Sequence, residues 1–495
     1  MSEISYIQPI SLWGWFDKIC TIPHPSFHEN EIAEFIVKWA KEKQLFVERD
    51  EIGNILIRKP ATKGMENRKG IALQAHLDMV PQSKEGYFHN FQEDPIQPYI
   101  DGEWVKAKRT TLGADNGIGV ASCLAILDSN DISHPDLEVL LTMTEESGMI
   151  GALKLRENWL TSQLMINTDA EENGEIYIGC AGGEDVTFEL PIYFENNPFD
   201  CSIKVSIQGL QGGHSGGDIH TNRVNAIKLL ARLLAELNTN FNFQLSHIRG
   251  GSVNNAIPRE ASATFSFYSE DKTNLISCLE KISQQLKAEL SLSEPELHFI
   301  LENQSINNKV FDLKTTKKII QCLNVLPNGV IRYSDELKDV VETSLSTGVL
   351  VTDNNHITLN ILIRSLIENG KQAVRTILLS LAELVDANIT FSGNTPGWVP
   401  SPSSSFTSLT KQIYDEILGF KAEIKVIHAG LECGLIKKAY PNIDIVSIGP
   451  TIRNAHSPDE KVHIPAVNIY WKLLTQILKQ APQKDNSIRK NELID

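Results

Sequence analysis

The sequence has few cysteines, and their arrangement excludes two kinds of site. The seven cysteines are scattered and odd in number, and none forms a CxxC pair. Disulfide-stabilised secreted domains use even sets of regularly spaced cysteines, and thiolate zinc sites use closely spaced pairs. We therefore expect a reduced protein with neither a disulfide framework nor a cysteine-based zinc site, which favours a cytoplasmic location.

Two further absences concern the partners of the chain. Lys plus Arg is 46 against 62 Asp plus Glu, a net charge of −16, which disfavours binding to the phosphates of nucleic acid. No run of about 18 apolar residues is present, and the first residues do not resemble a signal peptide. We expect no nucleic acid and no membrane among the partners.

The length of 495 residues is too great for one compact core and indicates several domains. Residues 1–190 alternate helix-like and strand-like patterns, and residues 398–495 do so again, as in an α/β sheet flanked by helices. Between them, residues 191–397 show two successive sets of strands and helices. The pattern predicts an α/β domain formed by the first and last segments, interrupted by an inserted α+β domain of two halves.

The polar residues that can carry chemistry follow the apolar runs. His76 and Asp78 come at the end of one such run and are two residues apart, so both project to the same side of an extended segment. A carboxylate behind a metal-binding imidazole fixes its tautomer. Alone, this pair is also compatible with the solvated end of a strand.

Four more acidic residues lie in turns or at the ends of apolar runs. Asp115 lies in a glycine-rich turn before a buried helix, where the alternative is an N-cap. Glu145 and Glu146 are adjacent carboxylates that repel each other unless a cation neutralises them, and the alternative is a solvated acidic turn. Asp169 closes another apolar strand, and His456 adds an imidazole in a distant turn. Open α/β sheets place their sites at such strand ends, and imidazole and carboxylate ligands suit zinc.

The motifs together resemble one enzyme family. HLD, GADNGIG, TEESG, NTDAE, GGHSGG, NNAIP and HSPDE occur in this order along the chain. They resemble the dinuclear zinc peptidases, a family that includes carnosinases, aminoacylases, tripeptidases and succinyl-diaminopimelate desuccinylases. CAGGED, QGLQGGHSGGDIH and HAGLECG are similar to the bacterial aminoacyl-histidine dipeptidases within it. The resemblance implies a catalytic domain with a mixed sheet flanked by helices and an inserted lid domain.

The resemblance also implies roles for individual residues. His76 and Asp169 would bind one zinc ion, Glu146 and His456 the other, and Asp115 would bridge the two. Glu145 matches the general base, and Asp78 matches the residue that orients His76. The expected cofactors are two zinc ions per chain, with cobalt or manganese as possible substitutes.

Three residues of the inserted domain match or suit substrate contacts. His214 is similar to the lid histidine that stabilises the tetrahedral oxyanion, and Asn255 looks like a substrate-binding residue. Arg364 ends a predicted strand and could hold a substrate carboxylate through its planar fork, although strand-end arginines more often form surface ion pairs. Because the insertion is about twice the size of a simple lid, we expect His214 to act within its own chain, and a homodimer stays possible.

The expected activity is hydrolysis of Xaa-His and other dipeptides, including carnosine, through a metal-bridged water activated by Glu145. Two alternatives within the family are tripeptide hydrolysis and cleavage of N-acyl amino acids. A third is a metal-binding protein without catalysis. The second carboxylate, Glu145, argues against this last reading because metal binding alone does not require it.

Overall fold

The structure is a computed structural model that describes residues 2–484. By its contacts the chain forms two compact units. Within the described residues, the first unit contains residues 2–179, 400–426 and 432–484, and the second contains residues 180–399 and 427–431. The last part of the predicted segment 398–495, residues 485–495, lies outside the described residues.

The helices are distributed over both units. Between residues 2 and 484 they are α1 (Ile10–Cys20), α2 (Asn30–Glu42), α3 (Ala114–Asp128), α4 (Ile150–Leu153), α5 (Ala226–Asn238), α6 (Lys272–Glu289), α7 (Leu313–Val325), α8 (Glu368–Leu384), α9 (Ser405–Leu418), α10 (Glu432–Ala439) and α11 (Ile464–Lys479). Short 3₁₀ helices cover Glu3–Tyr6 and Ser269–Asp271. None of these helices combines the length and apolar character needed to cross a bilayer.

The strands fall into three groups along the chain. The first group is β1 (Phe46–Arg49), β2 (Ile55–Lys59), β3 (Ile71–His76), β4 (Pro98–Asp101), β5 (Trp104–Ala107), β6 (Leu137–Thr142), β7 (Leu164–Asn167) and β8 (Glu175–Cys180). The second is β9 (Gly182–Pro191), β10 (Phe194–Asn196), β11 (Cys201–Gln208), β12 (Gly213–His214), β13 (Gln244–Gly250), β14 (Ala256–Ile257), β15 (Ala261–Phe267), β16 (His298–Asn303), β17 (Lys309–Phe311), β18 (Gly329–Tyr333), β19 (Val341–Thr352), β20 (His356–Ser365) and β21 (Asn388–Ser392). The third is β22 (Glu423–Ile427), β23 (Asp444–Ser447), β24 (Ile452–Arg453) and β25 (Lys461–His463).

The first unit is built on a mixed eight-stranded sheet. Its order is β1-β2-β6-β3-β7-β23-β8-β22, and the central strands β6, β3, β7 and β23 are parallel to their neighbours within this group. All residues of β3, β6 and β7 are buried, as expected for parallel strands covered on both faces. The parallel pairing brings the carboxyl ends of these three strands to the same edge.

Helix α3 lies in the core of this unit. Every residue from Ala114 to Leu127 is buried, and the helix packs against α1 and β3. Trp13 and Phe16 of α1 are fully buried in the same core. The position of α3 fixes the turn at its start, which carries Asp115.

The second unit contains a nine-stranded antiparallel sheet. Its order is β16-β11-β15-β13-β19-β20-β9-β21, and β18 pairs with β19. The predicted two sets of strands and helices are both present, and they share this sheet through the pairing of β13 with β19 at Gly250 and Leu350. Alternating burial along β9 shows that one face of the sheet covers the core.

The limits of the inserted domain differ from the predicted 191–397. Strand β9 pairs along its length with β20 and also with β21, so residues 182–191 belong to the second sheet and the first boundary lies at residues 179 and 180. Residues 427–431 belong to the second unit as well. The sequence could not show this because an alternating strand reads the same in either sheet.

Candidate active site

The candidate ligands of the first unit lie at one edge of its sheet. His76 is the last residue of β3, and Asp169 follows β7 by two residues. Glu145 and Glu146 lie in the loop after β6. Because β6, β3 and β7 are adjacent and parallel, their carboxyl ends bring these residues together.

Asp115 lies between two imidazole groups. Its Oδ1 is 3.1 Å from Nε2 of His76, and its Oδ2 is 3.1 Å from Nε2 of His456. Hydrogen bonds from these two imidazoles keep the pKa of Asp115 far below its usual range, although burial of the carboxyl group acts in the opposite direction. Each oxygen of the Asp115 carboxylate thus lies beside a different imidazole.

Two further carboxylates complete the two groups. Asp169 Oδ1 is 3.2 Å from Nε2 of His76, and Glu146 Oε1 is 2.9 Å from Nε2 of His456. Both oxygens are buried, yet neither has an aligned hydrogen-bond partner among the described residues. Nε2 of His76 and Nε2 of His456 therefore each face two carboxylate oxygens, although one ring nitrogen offers only one proton or one lone pair.

This arrangement fits two cations. One donor set contains His76 Nε2, Asp169 Oδ1 and Asp115 Oδ1, and the other contains His456 Nε2, Glu146 Oε1 and Asp115 Oδ2. Ligand atoms of His76, Asp115 and Glu146 all lie within 4.8 Å of one another. Imidazole and carboxylate donors in such groups are those of zinc sites, and they also suit manganese and cobalt.

Asp78 supports both His76 and the loop after β6. Its Oδ1 is 3.4 Å from Nδ1 of His76 and accepts a hydrogen bond from the Glu145 N–H at 2.8 Å. Its Oδ2 accepts from the Glu146 N–H at 3.2 Å and from the Ser26 hydroxyl at 2.7 Å. The carbonyl oxygen of Asp78 lies closer to Nδ1 of His76, at 3.1 Å, so the backbone and the carboxylate of Asp78 both face this nitrogen.

The Glu145 carboxyl group lies in a negatively charged and desolvated environment. Burial raises its pKa well above the usual value, and the charges of Asp169, Glu432 and Glu146 act in the same direction, whereas His76 opposes them. A half-buried carboxyl group with a raised pKa beside a cluster of metal-type ligands is suited to accept and return a proton.

Glu460 holds the turn that carries Asp115. Its carboxylate accepts hydrogen bonds from the N–H groups of Leu112, Gly113 and Ala114 at 2.8, 2.9 and 2.8 Å, and from the N–H of Asp115 at 3.3 Å. These are the free donors at the start of α3. Glu460 therefore has the capping function that an N-terminal Asp115 would otherwise have, and the Asp115 side chain is available to the two imidazoles.

In the second unit, the protonation of His214 is determined by the turn that follows it. Its Nδ1 accepts hydrogen bonds from the N–H groups of Gly216 and Gly217 at 3.1 and 2.9 Å. The proton of the neutral ring must then be on Nε2, which becomes a donor. Partial burial lowers the pKa of His214, and the positive charge of Arg364 lowers it further.

The other two predicted lid residues lie in the same part of the second unit. The carbonyl of Asn255 accepts a hydrogen bond from the Ser215 N–H at 2.9 Å, next to the pairing of His214 with Ala256. Arg364 on β20 is buried, and its Nε has no hydrogen-bond partner among the described residues. Burial lowers the pKa of Arg364, and the charge of Asp185 opposes this effect. A buried guanidinium group of this kind is suited to bind an anion.

His428 joins this group. Its Nε2 is 2.8 Å from the hydroxyl oxygen of Ser344, the residue opposite Arg364 in the sheet register. A Cβ atom on Gly216 would be 2.0 Å from the His428 carbonyl oxygen, so only glycine allows the turn after His214 to pack here. The second unit thus places His214, Asn255, Arg364 and His428 together.

Known proteins resemble the whole chain. A family model described as a peptidase dimerisation domain of the M20 group matches residues 205–293. The cytosol non-specific dipeptidase of Escherichia coli is 52% identical over 486 residues, which are 98% of this chain and the whole of that protein. The solved aminoacylhistidine dipeptidase of Vibrio alginolyticus has a TM-score of 0.91 at 50% identity, covering 98% of this chain and 99% of that one.

The chain belongs to the M20 family of metallopeptidases. The predicted family, the α/β fold class and the prediction that the protein is a peptidase are confirmed. An aminopeptidase of Bacillus cereus with 16% identity and a TM-score of 0.56, which covers 96% of this chain and 99% of that one, shares the M20 fold. The roles of the individual site residues stay predictions.

The sequence predicts no role for three ionisable residues of this M20 peptidase that lie close to the candidate site residues. Glu460 lies in the HSPDE motif, and His428 and Glu432 both lie in HAGLECG. Glu432 is buried and accepts hydrogen bonds from Gln74 and Thr142, each at 2.6 Å. Their occurrence inside motifs was the only available signal, because their partners are distant in the sequence.

Proposed function

We propose that this M20 peptidase is a dipeptidase that uses two metal ions. The observation that carries the proposal is the position of Asp115, whose two oxygens each face a separate histidine and a separate acidic residue. One carboxylate shared by two matched donor sets is the arrangement required for a pair of neighbouring cations.

In the proposed site, His76, Asp169 and Asp115 hold one ion, and His456, Glu146 and Asp115 hold the other. Zinc is the proposed metal, because imidazole and carboxylate ligands without thiolates are typical of catalytic zinc sites. When bound, the two ions would polarise the scissile carbonyl group and lower the pKa of the attacking water.

Glu145 is the proposed general base and acid. Its carboxylate takes a proton from the attacking water and delivers it to the departing amine, so one group serves both halves of the reaction. Asp78 accepts hydrogen bonds from the N–H groups of both Glu145 and Glu146. These hydrogen bonds fix the backbone that carries the proposed base and a proposed metal ligand.

The residues of the second unit bind the substrate in this proposal. His214 donates from Nε2 to the developing oxyanion, consistent with a ring whose Nδ1 already accepts two hydrogen bonds. Arg364 binds the terminal carboxylate of the dipeptide, and His428 contributes to the same pocket. Asn255 holds the substrate backbone.

The proposed substrates are dipeptides, with Xaa-His peptides such as carnosine among them. The support comes from two relatives that are named as a non-specific dipeptidase and an aminoacylhistidine dipeptidase, each at least 50% identical to this chain. The first is also named as a cytosolic enzyme, which supports a cytoplasmic location for this one.

A homodimer is the proposed assembly. Its support is the match of residues 205–293 to a domain model described as one for peptidase dimerisation. Sedimentation analysis tests this independently of activity: a single monomeric species at micromolar concentration would exclude the dimer.

The decisive experiment is hydrolysis by metal-stripped protein with and without added zinc. Carnosine, Gly-His, Ala-Ala, a tripeptide and an N-acetyl amino acid are the substrates, and Glu145→Gln is the matched variant. We expect zinc-dependent cleavage of dipeptides alone, two zinc ions bound in both proteins, and a fall in kcat of about 10²- to 10⁴-fold in the variant.

Other results would identify a different activity. Faster cleavage of the tripeptide or the N-acetyl amino acid would replace the dipeptidase proposal with one of these activities. Full activity of the Glu145→Gln variant would remove Glu145 from the mechanism. Binding of two zinc ions without cleavage of any of these substrates would exclude the proposed activity.

A further inference from the structure

One buried carboxylate fastens both ends of the loop that contains His214. This loop, residues 211–224, is called the His214 loop below. Glu294 Oε2 accepts a hydrogen bond from the Gln211 N–H at 2.7 Å, and Glu294 Oε1 accepts one from the Val224 N–H at 2.9 Å. Glu294 is only 2% exposed. A single side chain therefore fixes the distance between the first and last residues of the loop.

The segment that carries Glu294 is itself firmly held. The Glu294 N–H donates to the Leu290 carbonyl at 2.8 Å, directly after α6. The Gln211 side-chain amide donates to the Ser293 carbonyl at 2.6 Å. At Gly209, where φ is +82°, a Cβ atom would lie 2.0 Å from the Glu296 carbonyl oxygen. The start of the His214 loop is thus packed against residues 293–296.

Inside the loop, a second set of contacts connects its end to His214. Asp218 accepts a hydrogen bond from the His214 N–H at 2.8 Å and forms an ion pair with Arg223 at 3.1 Å. Arg223 also donates to the Gly212 carbonyl at 2.5 Å. Because Arg223 precedes Val224, a shift at the end of the loop moves the groups that hold the His214 backbone.

We infer that Glu294 is a positioning residue for His214. Its two oxygens keep the ends of the His214 loop at a fixed separation, and the Asp218–Arg223 pair transmits this position to the imidazole. The inference rests on the proposed function, because it assigns Glu294 an effect on catalysis through His214.

The first test is Glu294→Gln, a variant of nearly the same shape. The glutamine retains one acceptor oxygen and turns an NH₂ group towards the other N–H, so one end of the loop is released. Amide hydrogen exchange is expected to become faster in residues 211–224 and to stay unchanged in the rest of the second unit. Glu289→Gln is the matched control, since exposed Glu289 lies at the end of α6 and pairs with Arg232. Unchanged exchange in the loop of Glu294→Gln would overturn the inference.

The second test separates positioning from general destabilisation. Glu294→Gln is expected to lower kcat by about 10- to 100-fold with little change in KM, because misplacement of a transition-state donor affects the chemical step. Glu294→Asp keeps both acceptor oxygens and is expected to recover part of the loss. In a cycle with His214→Ala, the double variant should be no slower than His214→Ala alone. If the fold decreases in kcat of the two single variants multiply in the double variant, the inference is overturned.

The two proposals fail in different ways. If His214→Ala keeps the wild-type kcat, the proposed catalytic role of His214 is wrong, and with it the effect of Glu294 on catalysis. The exchange measurement then still decides whether Glu294 anchors the loop. If His214→Ala is slow but Glu294→Gln is as fast as the wild type, only the inference about Glu294 is wrong.

Discussion

Asp78 accepts a hydrogen bond from the peptide N–H of Glu145 at 2.8 Å. The same carboxylate lies 3.4 Å from Nδ1 of His76, so the proposed base and a proposed ligand share one support. His76 and Glu145 are thereby coupled, and a change in the position of Asp78 is expected to alter both the proposed metal binding and the proposed proton transfer. This coupling leads to the first prediction.

Replacement of Asp78 with Asn is expected to weaken metal binding by about 10- to 100-fold, because an amide cannot stabilise His76 and accept from both loop N–H groups as a carboxylate does. Zinc titration against a competing chelator measures the affinity, and kcat at saturating zinc measures the effect on Glu145. Ser26→Ala is the matched control, since it removes one hydrogen bond to Asp78 and leaves the carboxylate in place. Wild-type zinc affinity in Asp78→Asn would contradict the assigned role.

Glu460→Gln is expected to lower the free energy of unfolding of the metal-free protein by about 1–3 kcal/mol, because two of the four buried N–H groups at the start of α3 lose their acceptor. Urea unfolding provides the measurement. The adjacent Asp459 is exposed and pairs with Lys84, so Asp459→Asn serves as the control. The loosened turn carries Asp115, and zinc affinity should fall together with stability. A stable variant with weakened zinc binding would show that Glu460 acts on the site alone.

Arg364→Met is expected to raise KM for dipeptides by about 10- to 100-fold, which corresponds to the loss of a charged hydrogen bond worth about 1.5–3 kcal/mol. The kcat value should change less. Dipeptide amides lack the terminal carboxylate, so their KM should be the same in wild type and variant. Arg332→Met, at an exposed arginine paired with Glu342, is the control. An equal rise in KM for acids and amides would rule out a carboxylate pocket.

The lowered pKa of His428 predicts that the stability of the protein depends on pH. Burial lowers its pKa to about 3 from the usual 6.5, so the unfolded chain binds a proton there at higher pH than the folded chain does. The contribution of His428 to the free energy of unfolding is complete above pH 6.5 and is lost as the pH falls towards 3. When the pH is lowered from 7.5 to 5, the free energy of unfolding of the wild type should fall by about 2 kcal/mol more than that of His428→Gln.

The measurement is the difference in unfolding free energy between wild type and His428→Gln at each pH, which cancels the titration of other groups. His298→Gln is the control for removal of an imidazole, because His298 is exposed. Parallel pH profiles for wild type and His428→Gln would show that His428 takes up its proton equally well in both states.

The sequence predicted the parts of the fold that depend on local pattern. The short apolar runs at residues 137–143 and 164–167 predict strands, and the structure has β6 and β7 there, with the residues that follow them at one edge of the sheet. The apolar spacing over residues 222–237 predicts an amphipathic helix, but α5 begins at Ala226 because the Asn225 side chain accepts hydrogen bonds from the N–H groups of Ile227 and Lys228. The preceding residues form the end of the His214 loop instead.

The remaining features depend on contacts between distant residues. Glu460 accepts from Leu112 across 348 positions of the chain, and Glu294 reaches Gln211 across 83. A local pattern carries no information about the partner of such a hydrogen bond. The family motifs indicated the ligand set, whereas the residues that hold these ligands in place required the three-dimensional structure.

The shared sheet of the second unit has a consequence for independent folding. The stretch matched by the family model, residues 205–293, ends before β19, yet β19 pairs with β13 and the Thr352 hydroxyl accepts from the Ile248 N–H at 3.0 Å. Leu234 and Phe265 from this stretch share one core with Leu345 from β19. An excised fragment of residues 205–293 would therefore expose an unpaired strand edge and an apolar face, and both promote aggregation. The stretch matched by the family model and the compact second unit of this protein therefore have different boundaries.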